Sequence, residues 1–413
     1  MKTKVFFIKN SSNFYSLASL YSAIENIENV YPEITPYPYL LEINVKNMPF
    51  DKILFCFSYN TISFYNELTE IKSILKKFKD NKTFFIAGGP HPSAKPDELI
   101  NLGFDTVITG EGEQALIDLI KMLKQNVPVP KIFRKPFNEL DNFPSFPLKS
   151  FLYKPIEITR GCPYGCYFCQ TTYLFSKTLK HRSIENIKKH VIQAFEKGIR
   201  DFRFITPNAL GYQSDTNKPN PPAIKKLLST IRNIIKDRGR IFFGTFPSEI
   251  RPEFVNDEIM DILKDYVDNK RIHIGLQSGS EAMLKKSHRG HTVLDVVKAI
   301  EVVTKKGFNI DIDIIFGMPN ETYKDMEKTM EFIKNYSCEK INFHVHYYIP
   351  LPGTPWANYP PTPLPEKIKK ELEILVGKGR LWGAWKRQME FFRLIETKKS
   401  LNNKILDFKL TTC

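Results

Sequence analysis

Cysteine is scarce in this chain. Six Cys in 413 residues exclude a small disulfide-stapled scaffold, which concentrates several per cent of Cys in a short sequence. Long apolar runs are missing as well. None approaches the ~18 residues that a membrane-spanning helix needs, so no membrane span is expected. Met1 to Lys9 carries too short an apolar run for a secretory leader. It reads instead as the first strand of a cytoplasmic protein. No low-complexity tract, internal repeat or block of like charge stands out, which removes collagen-like, disordered and solenoid classes.

What remains suits a chain with more than one core. Hydrophobic residues make up 42%, aromatics 13% and charged residues 25%. The net charge of +15 is uneven: residues 1–150 hold 17 Lys/Arg against 16 Asp/Glu, and the remainder holds 43 against 29. A basic half admits an acidic partner, but without a basic arm it reads as a solvated lysine-rich surface. Nothing beyond net positive charge supports a nucleic acid partner.

Short apolar runs at Val5–Ile8, Ile53–Ser58, Thr83–Ala87 and Thr106–Ile108 have the β-branched and aromatic content of strands buried on both faces. Helical patterns lie between them at Tyr15–Ile27, Phe64–Lys79, Pro96–Leu102 and Gln114–Lys124. Alternation of this kind predicts a doubly wound, Rossmann-like parallel sheet over residues 1–125. The proline-bearing stretch Tyr31–Leu41 is expected to wrap an edge. Residues 126–155, rich in Pro and free of helical periodicity, read as a linker.

The alternation then resumes with a longer period. Strands are expected at Ile156–Thr159, Asp201–Thr206, Arg240–Phe246, Arg271–Gln277, Asn309–Phe316 and Ile341–Ile349. Helices are expected at Ser183–Lys197, Pro222–Lys236, Pro252–Asp265, Thr292–Lys306 and Thr322–Tyr336. Six βα repeats predict a (β/α)6 partial TIM barrel over residues 156–360, with ligands at the C-terminal ends of its strands. A basic helical extension is expected over 361–413. The fold class is therefore α/β throughout.

Cys162-Pro163-Tyr164-Gly165-Cys166-Tyr167-Phe168-Cys169 follows the first strand of the second region. Three thiols in eight residues suit a soft metal. Four protein ligands would close a zinc or conventional iron–sulfur site; three leave one position of a cubane open for a small molecule. A zinc site completed by a distant His and three structural thiols are the alternatives. Cys338 and Cys413 stand alone and read as ordinary thiols.

This CxxxCxxC spacing, with an aromatic before the last Cys, resembles the signature of the radical S-adenosylmethionine (SAM) superfamily. The resemblance implies that Cys162, Cys166 and Cys169 hold a 4Fe-4S cluster whose open iron binds SAM, with Phe168 beside adenine. Ile274-Gly275-Leu276-Gln277-Ser278-Gly279 resembles the family's fourth-strand motif, which implies SAM contacts at Gln277 and Ser278. Arg289 lies in a stretch resembling the one that opens the next helix. It is a candidate partner for the SAM carboxylate, the alternative being a solvated helix-start Arg. Phe316-Gly317-Met318-Pro319 resembles the fifth-strand motif, with Gly317 beside adenine, and Ile349-Pro350-Leu351-Pro352-Gly353 resembles the closing turn. The Gly-Gly-Glu that many members carry after strand two is replaced by Thr206-Pro207-Asn208. The SAM amino group then falls to Asn208 or backbone carbonyls, or to Ser248 and Glu249 after strand three. Glu249 as a member of a structural ion pair is the competing reading.

In the first region, Gly88-Gly89-Pro90-His91 and Gly110-Glu111-Gly112 follow strands, with Ser58-Tyr59-Asn60-Thr61 as the matching loop after another. With a radical SAM region downstream, these resemble the cobalamin-binding domain of one radical SAM class, of archaeal (methanogen) type and similar to cobalamin-dependent C-methyltransferases. That class's Asp-x-His-x-x-Gly cobalt-ligand motif is absent. His91 reads as a loop or packing histidine rather than a cobalt ligand. Methylthiotransferases share the domain order but need three further Cys in the N-terminal region, where this chain has Cys56 alone. The resemblance implies an enzyme that methylates an unactivated carbon, with a protein or peptide among candidate substrates and a ferredoxin- or flavodoxin-like electron donor. Radical rearrangement or cyclisation of a small metabolite, lipid or tetrapyrrole and nucleic-acid modification are the alternatives.

Overall fold

A computed structural model describes residues 1–40, 42–214 and 218–396. Six parallel strands form the first sheet: β1 (Thr3–Lys9), β2 (Val30–Pro36), β3 (Lys52–Ser58), β4 (Thr83–Gly88), β5 (Thr106–Ile108) and β6 (Ile132–Phe133). Their order is β2-β1-β3-β4-β5-β6. Side chains alternate across a strand, so β1 sends Phe6 and Ile8 to one core and Val5 and Phe7 to the other. Helices Leu68–Lys77 and Pro96–Leu102 cover the first face; Phe14–Ile24 and Glu113–Lys124 cover the second. Both faces are buried, which is why these strands read as continuous apolar runs.

Three departures from the sequence expectations concern edges. The proline-bearing stretch is itself a strand, β2. At the sheet's margin Pro32 and Pro36 cost no ladder on the outer side. Part of the stretch read as linker, Ile132–Phe133, pairs with β5 as the opposite edge. The helix expected over Phe64–Lys79 is two, Thr61–Asn66 and Leu68–Lys77, the first capped by the Asn60 side chain.

The second region contains β7 (Ile156–Glu157), β8 (Thr159–Arg160), β9 (Lys180–His181), β10 (Asp201–Ile205), β11 (Arg240–Phe242), β12 (Arg271–Gln277), β13 (Asn309–Phe316), β14 (Ile341–Tyr347) and β15 (Leu381–Trp382). Two parallel sheets, β11-β10-β7 and β12-β13-β14-β15, meet through a bridge between Ile250 and Ile274. They curve together as an open barrel. The first expected strand breaks at Ile158, so that β8 can pair antiparallel with β9. The third ends at Phe242, four residues early. The helix expected from Pro252 is a short turn followed by Asp257–Tyr266, capped by Asn256. Capping boxes at Thr292/Asp295 and Thr322/Asp325 start the next two helices. The extension read as helical contributes β15, which pairs with β14. Helices Glu366–Gly377 and 385–396 flank it. The rest of that extension, with Cys413, lies outside the described residues. Among those residues no helix is long and apolar enough to cross a membrane.

Buried charge joins the two regions. Arg160 on β8 reaches Glu113 at 2.7 Å and Glu157 at 2.7 Å, and Lys180 on β9 reaches Glu111 at 2.6 Å. All five side chains are nearly or fully removed from water. Glu25 adds a second tie by accepting from Leu148 N–H at 2.8 Å and Ser150 N–H at 3.1 Å. Burial opposes ionisation of Glu157, but Arg160 outweighs it and brings the carboxyl down to about 2. Its stabilisation is therefore present above the ordinary value of 4.5 and is lost as pH falls toward about 2. Replacing Arg160 by Ala strands two buried carboxylates. We expect a loss of about 3–5 kcal/mol in urea-unfolding stability at neutral pH, shrinking as pH falls through that window. A loss below about 1 kcal/mol would show that water replaces the guanidinium.

Candidate active site

The cysteine loop leaves β8 at Gly161. Its φ is +90°, and a Cβ there would lie 2.2 Å from the Thr178 carbonyl, so only glycine lets the loop fold back on 176–178. Thr172 Oγ1 then ties the loop to itself, donating to Cys162 C=O at 2.7 Å and accepting from Gly165 N–H at 3.2 Å. Cys166 is buried, Cys162 and Cys169 half-buried, and all three thiols are free. They line one cleft of about 350 Å³ at the C-terminal end of the barrel. Every residue lining it belongs to the barrel region.

The opposite wall is built on β12. Its register slips between Gly275 and Gln277, and Gln277 adopts φ +74°; a bulge of this kind re-aims a side chain. A Cβ on Gly275 would lie 2.5 Å from Arg289 Nη2, 2.6 Å from Gln277 Nε2 and 3.1 Å from Glu249 Oε2. The missing side chain is what lets these three polar groups converge. Arg289 is buried, not solvated. It donates from Nη2 to Gly275 C=O at 3.2 Å and places Nη1 3.8 Å from Cys166 Sγ. Its Nε is buried without a hydrogen-bond partner. Burial pushes Glu249 up to about 7, with Asp313 adding to the effect. Burial opposes ionisation of Asp313 too, but hydrogen bonds from His273 and His344 hold it below the usual carboxylate range.

Of the residues singled out for SAM, Phe168, Glu249, Gln277 and Arg289 line this cleft with the three Cys. Four others are placed elsewhere. Asn208 accepts from Arg251 N–H at 3.2 Å and borders a smaller side cavity. Ser248 turns back to Thr245 C=O. Ser278 pairs with Thr329 at 3.2 Å and accepts from Ser280 N–H. Gly317 makes room for the Tyr347 ring, 2.3 Å from where its Cβ would be. Thr206, Arg251, Asp313 and His346 line the cleft without having been singled out. The last two carried a legible signal: polar residues at alternate positions of the apolar runs Ile310–Phe316 and Phe343–Tyr347 mark the strand face turned from the helices.

The chemistry of this donor set fits an iron–sulfur cluster. Three free thiols from one glycine-bent loop face a cleft, with an unsatisfied guanidinium donor opposite them. The fit of the first region to cobalamin is narrower. At Gly88 and Gly110 an added Cβ would be in ordinary contact, 3.6 Å from the Ile108 and Leu174 carbonyls, so neither backbone needs glycine for space. Gly89 is closed by Ser58 and Tyr59, and Gly112 by Leu20. Pro90 starts the short helix Pro90–Ala94. His91 is fully buried, stacked on Phe64 with centroids 4.2 Å apart, and 3.4 Å from both Thr61 and Glu98. Tyr59 and Thr61 are buried, and Asn60 caps the helix that follows. The Glu111 carboxylate is occupied by Lys180.

Comparison with known proteins finds likenesses in sequence and in fold. Residues 156–333 match the Radical SAM superfamily. Over 320 residues the chain is 29% identical to the threonylcarbamoyladenosine tRNA methylthiotransferase MtaB of Thermotoga maritima, covering 75% of this chain and 69% of the relative. Its fold is similar to the radical S-adenosylmethionine methyltransferase TsrM of Kitasatospora setae, solved with cobalamin and a 4Fe-4S cluster bound. The TM-score is 0.66 at 16% identity, over 86% of this chain and 77% of that one. It is also similar to the cobalamin-dependent S-adenosylmethionine radical enzyme OxsB, with a TM-score of 0.64 at 16% identity, over 95% of this chain and 56% of that one. At such identities the likeness is one of fold. The matched span begins at β7 and takes in the cysteine loop and the polar wall on β12, so the family match and the site described above fall on the same residues.

Proposed function

We propose that this chain is a cobalamin-dependent radical SAM methyltransferase acting on an unactivated carbon. The observation that carries the radical SAM part is the convergence of three free thiols with Arg289, Gln277 and Glu249 around one cleft. The thiolates would hold the cluster. Arg289 and Glu249 offer opposite charges to the carboxylate and amino group of SAM, and Phe168 offers an apolar surface to its adenine. A cluster bound there supplies the electron that cleaves SAM and so gives access to a radical able to take hydrogen from carbon. Cobalamin, when bound, supplies a methyl carrier, and the loops that follow β4 and β5, with Gly88 and Gly110, are where this chain would receive it. The two-region fold shared with TsrM and OxsB supports that half of the reading. A protein or peptide substrate, a ferredoxin- or flavodoxin-like electron donor, a reducing cytoplasmic setting and membership of an archaeal cobalamin-binding group belong to the same proposal.

The similarity to MtaB favours a second reading, methylthio transfer. That chemistry needs a second set of thiol ligands. The first 155 residues hold Cys56 alone, buried inside β3, where burial pushes its thiol far above the ordinary range. A buried neutral thiol is a packing residue. We therefore favour methyl transfer.

Three measurements test the proposal. Replacing Cys162, Cys166 and Cys169 by Ala together is expected to abolish iron binding and the broad visible absorbance of the anaerobically reconstituted protein; four irons retained in that variant would overturn the cluster assignment. Arg289→Ala should weaken SAM binding by about 1–3 kcal/mol in calorimetry, the range for a hydrogen bond to a charged group; unchanged affinity would remove Arg289 from the SAM site. The reduced, cobalamin-loaded enzyme should form both S-adenosylhomocysteine and 5′-deoxyadenosine from SAM. Deoxyadenosine alone would defeat methyl transfer and leave the radical SAM assignment standing.

A further inference from the structure

Below the thiols, the barrel lumen holds a second group of potential ligands. Alternation along β12, β13 and β14 turns His273, Asp313 and His344 inward. His273 Nε2 lies 2.9 Å and His344 Nδ1 2.8 Å from the same oxygen, Asp313 Oδ1. One ligand atom from each residue falls within 4.8 Å of the others. Their side chains are 5%, 6% and 17% exposed. Glu249 and Asp313 line the same cleft, so two carboxyl groups share it. Asp313 also lines the cleft that the thiols line.

Hydrogen-bond bookkeeping in this cluster does not close with protons alone. Tyr347 N–H donates to Gln388 Oε1 at 2.8 Å, which turns the Gln388 amide nitrogen toward His346 Nδ1 at 3.3 Å. His346 Nδ1 is therefore an acceptor, and the neutral ring keeps its proton on Nε2. That N–H lies 3.2 Å from His344 Nδ1. His344 Nδ1 has one in-plane site and faces two neighbours. If it accepts from His346, its lone pair confronts Asp313 Oδ1 at 2.8 Å; if it donates to Asp313, its hydrogen confronts that of His346. One contact is repulsive either way. A cation held by His344 Nδ1, His273 Nε2 and Asp313 Oδ1 would replace the two short nitrogen–oxygen contacts with bonds to metal. The 2.9 Å and 2.8 Å separations are close to the ~3 Å edge between ligands at right angles on an ion with bonds of ~2.1 Å. Trp382 on β15 stacks on the His344 ring at 3.8 Å and 18°, fixing its plane.

We propose that His273, Asp313 and His344 bind one divalent transition-metal ion in the barrel lumen, separate from the iron–sulfur cluster. Two imidazoles and a carboxylate on one side of the ion leave its remaining positions open. Those positions face the cleft, through Asp313 and His346, and suit an oxygen donor of a substrate bound there.

The test uses cobalt(II) as probe on the full chain with Cys162, Cys166 and Cys169 replaced by Ala, so that no cluster contributes metal. We expect one equivalent to bind with visible d–d bands and without thiolate charge transfer. His344→Ala and Asp313→Asn should each weaken binding at least about tenfold. Zinc(II) should raise the melting temperature of the parent and not of either variant. Zinc counted in the intact, cluster-loaded protein gives the same readout should the three-Cys variant fail to fold: one equivalent beyond the iron in the parent, none in His344→Gln. No stoichiometric binding in either protein, or binding indifferent to His344 and Asp313, would overturn the proposal. Loss of iron in the Cys variant with cobalt binding intact separates this site from the cluster.

Discussion

Strand parity in β12–β14 is the constraint on which the rest of the site depends. The three strands run parallel in continuous register, with Asp313 opposite His344 and Gly275 opposite Asp313. Ile272, Ile274, Ile312, Ile314, Phe343 and Val345 pack outward in the main core, and that packing fixes the parity. A slip by one residue would put isoleucines in the lumen and histidines against the helices. The apolar half of each strand thus determines where the polar half points. The single exception, the slip at Leu276, is local and useful: it turns Gln277 into the cleft and leaves Gly275 as the open position where Arg289 and Glu249 meet.

That dependence explains what could be seen in the sequence. The cysteine loop is local, and its three thiols needed no knowledge of the barrel to be recognised as a unit. Glu249 and Arg289 were marked by charge at strand and helix ends. Ser278 and Gly317 were marked by position in a motif, which places a backbone but says nothing of side-chain direction. Ser278 follows the bulge and turns to Thr329. Gly317 is a glycine because Tyr347 packs against it. The alternating Asp and His of β13 and β14 carried a period-two signal, but it competes with the reading of a half-exposed strand until the barrel closes the lumen.

The edge strands escaped for a different reason. Val30–Pro36, Ile132–Phe133 and Leu381–Trp382 are short, proline-bearing or embedded in loop-like sequence. Their pairing is decided by a neighbour distant in the chain rather than by their own residues. Leu381–Trp382 has the largest consequence, since it carries the indole that flattens His344. The same holds for Glu111 and Arg160. Glu111 reads in the sequence as part of a candidate cobalamin loop and Arg160 carries no signal, yet the two are buried against one another across the two regions.

The two sets of similar proteins point to different transfers, and the N-terminal region is where they part. Its sheet is shared in fold with cobalamin-containing structures, while the identity to MtaB extends over 320 residues. Identity over such a length is a likeness of the chain as a whole. It does not report ligands, which must be present residue by residue. Cys56 sits between Phe55 and Phe57 at the centre of β3, its thiol packed with Leu54 and Ile86. Reaching the cleft would require unthreading that strand. The Arg160 network meanwhile holds the loop after β5 against β8, immediately before the cluster loop. The loop after β5 is thus tied beside the cysteine loop, while the sheet itself holds no thiol other than the packed Cys56.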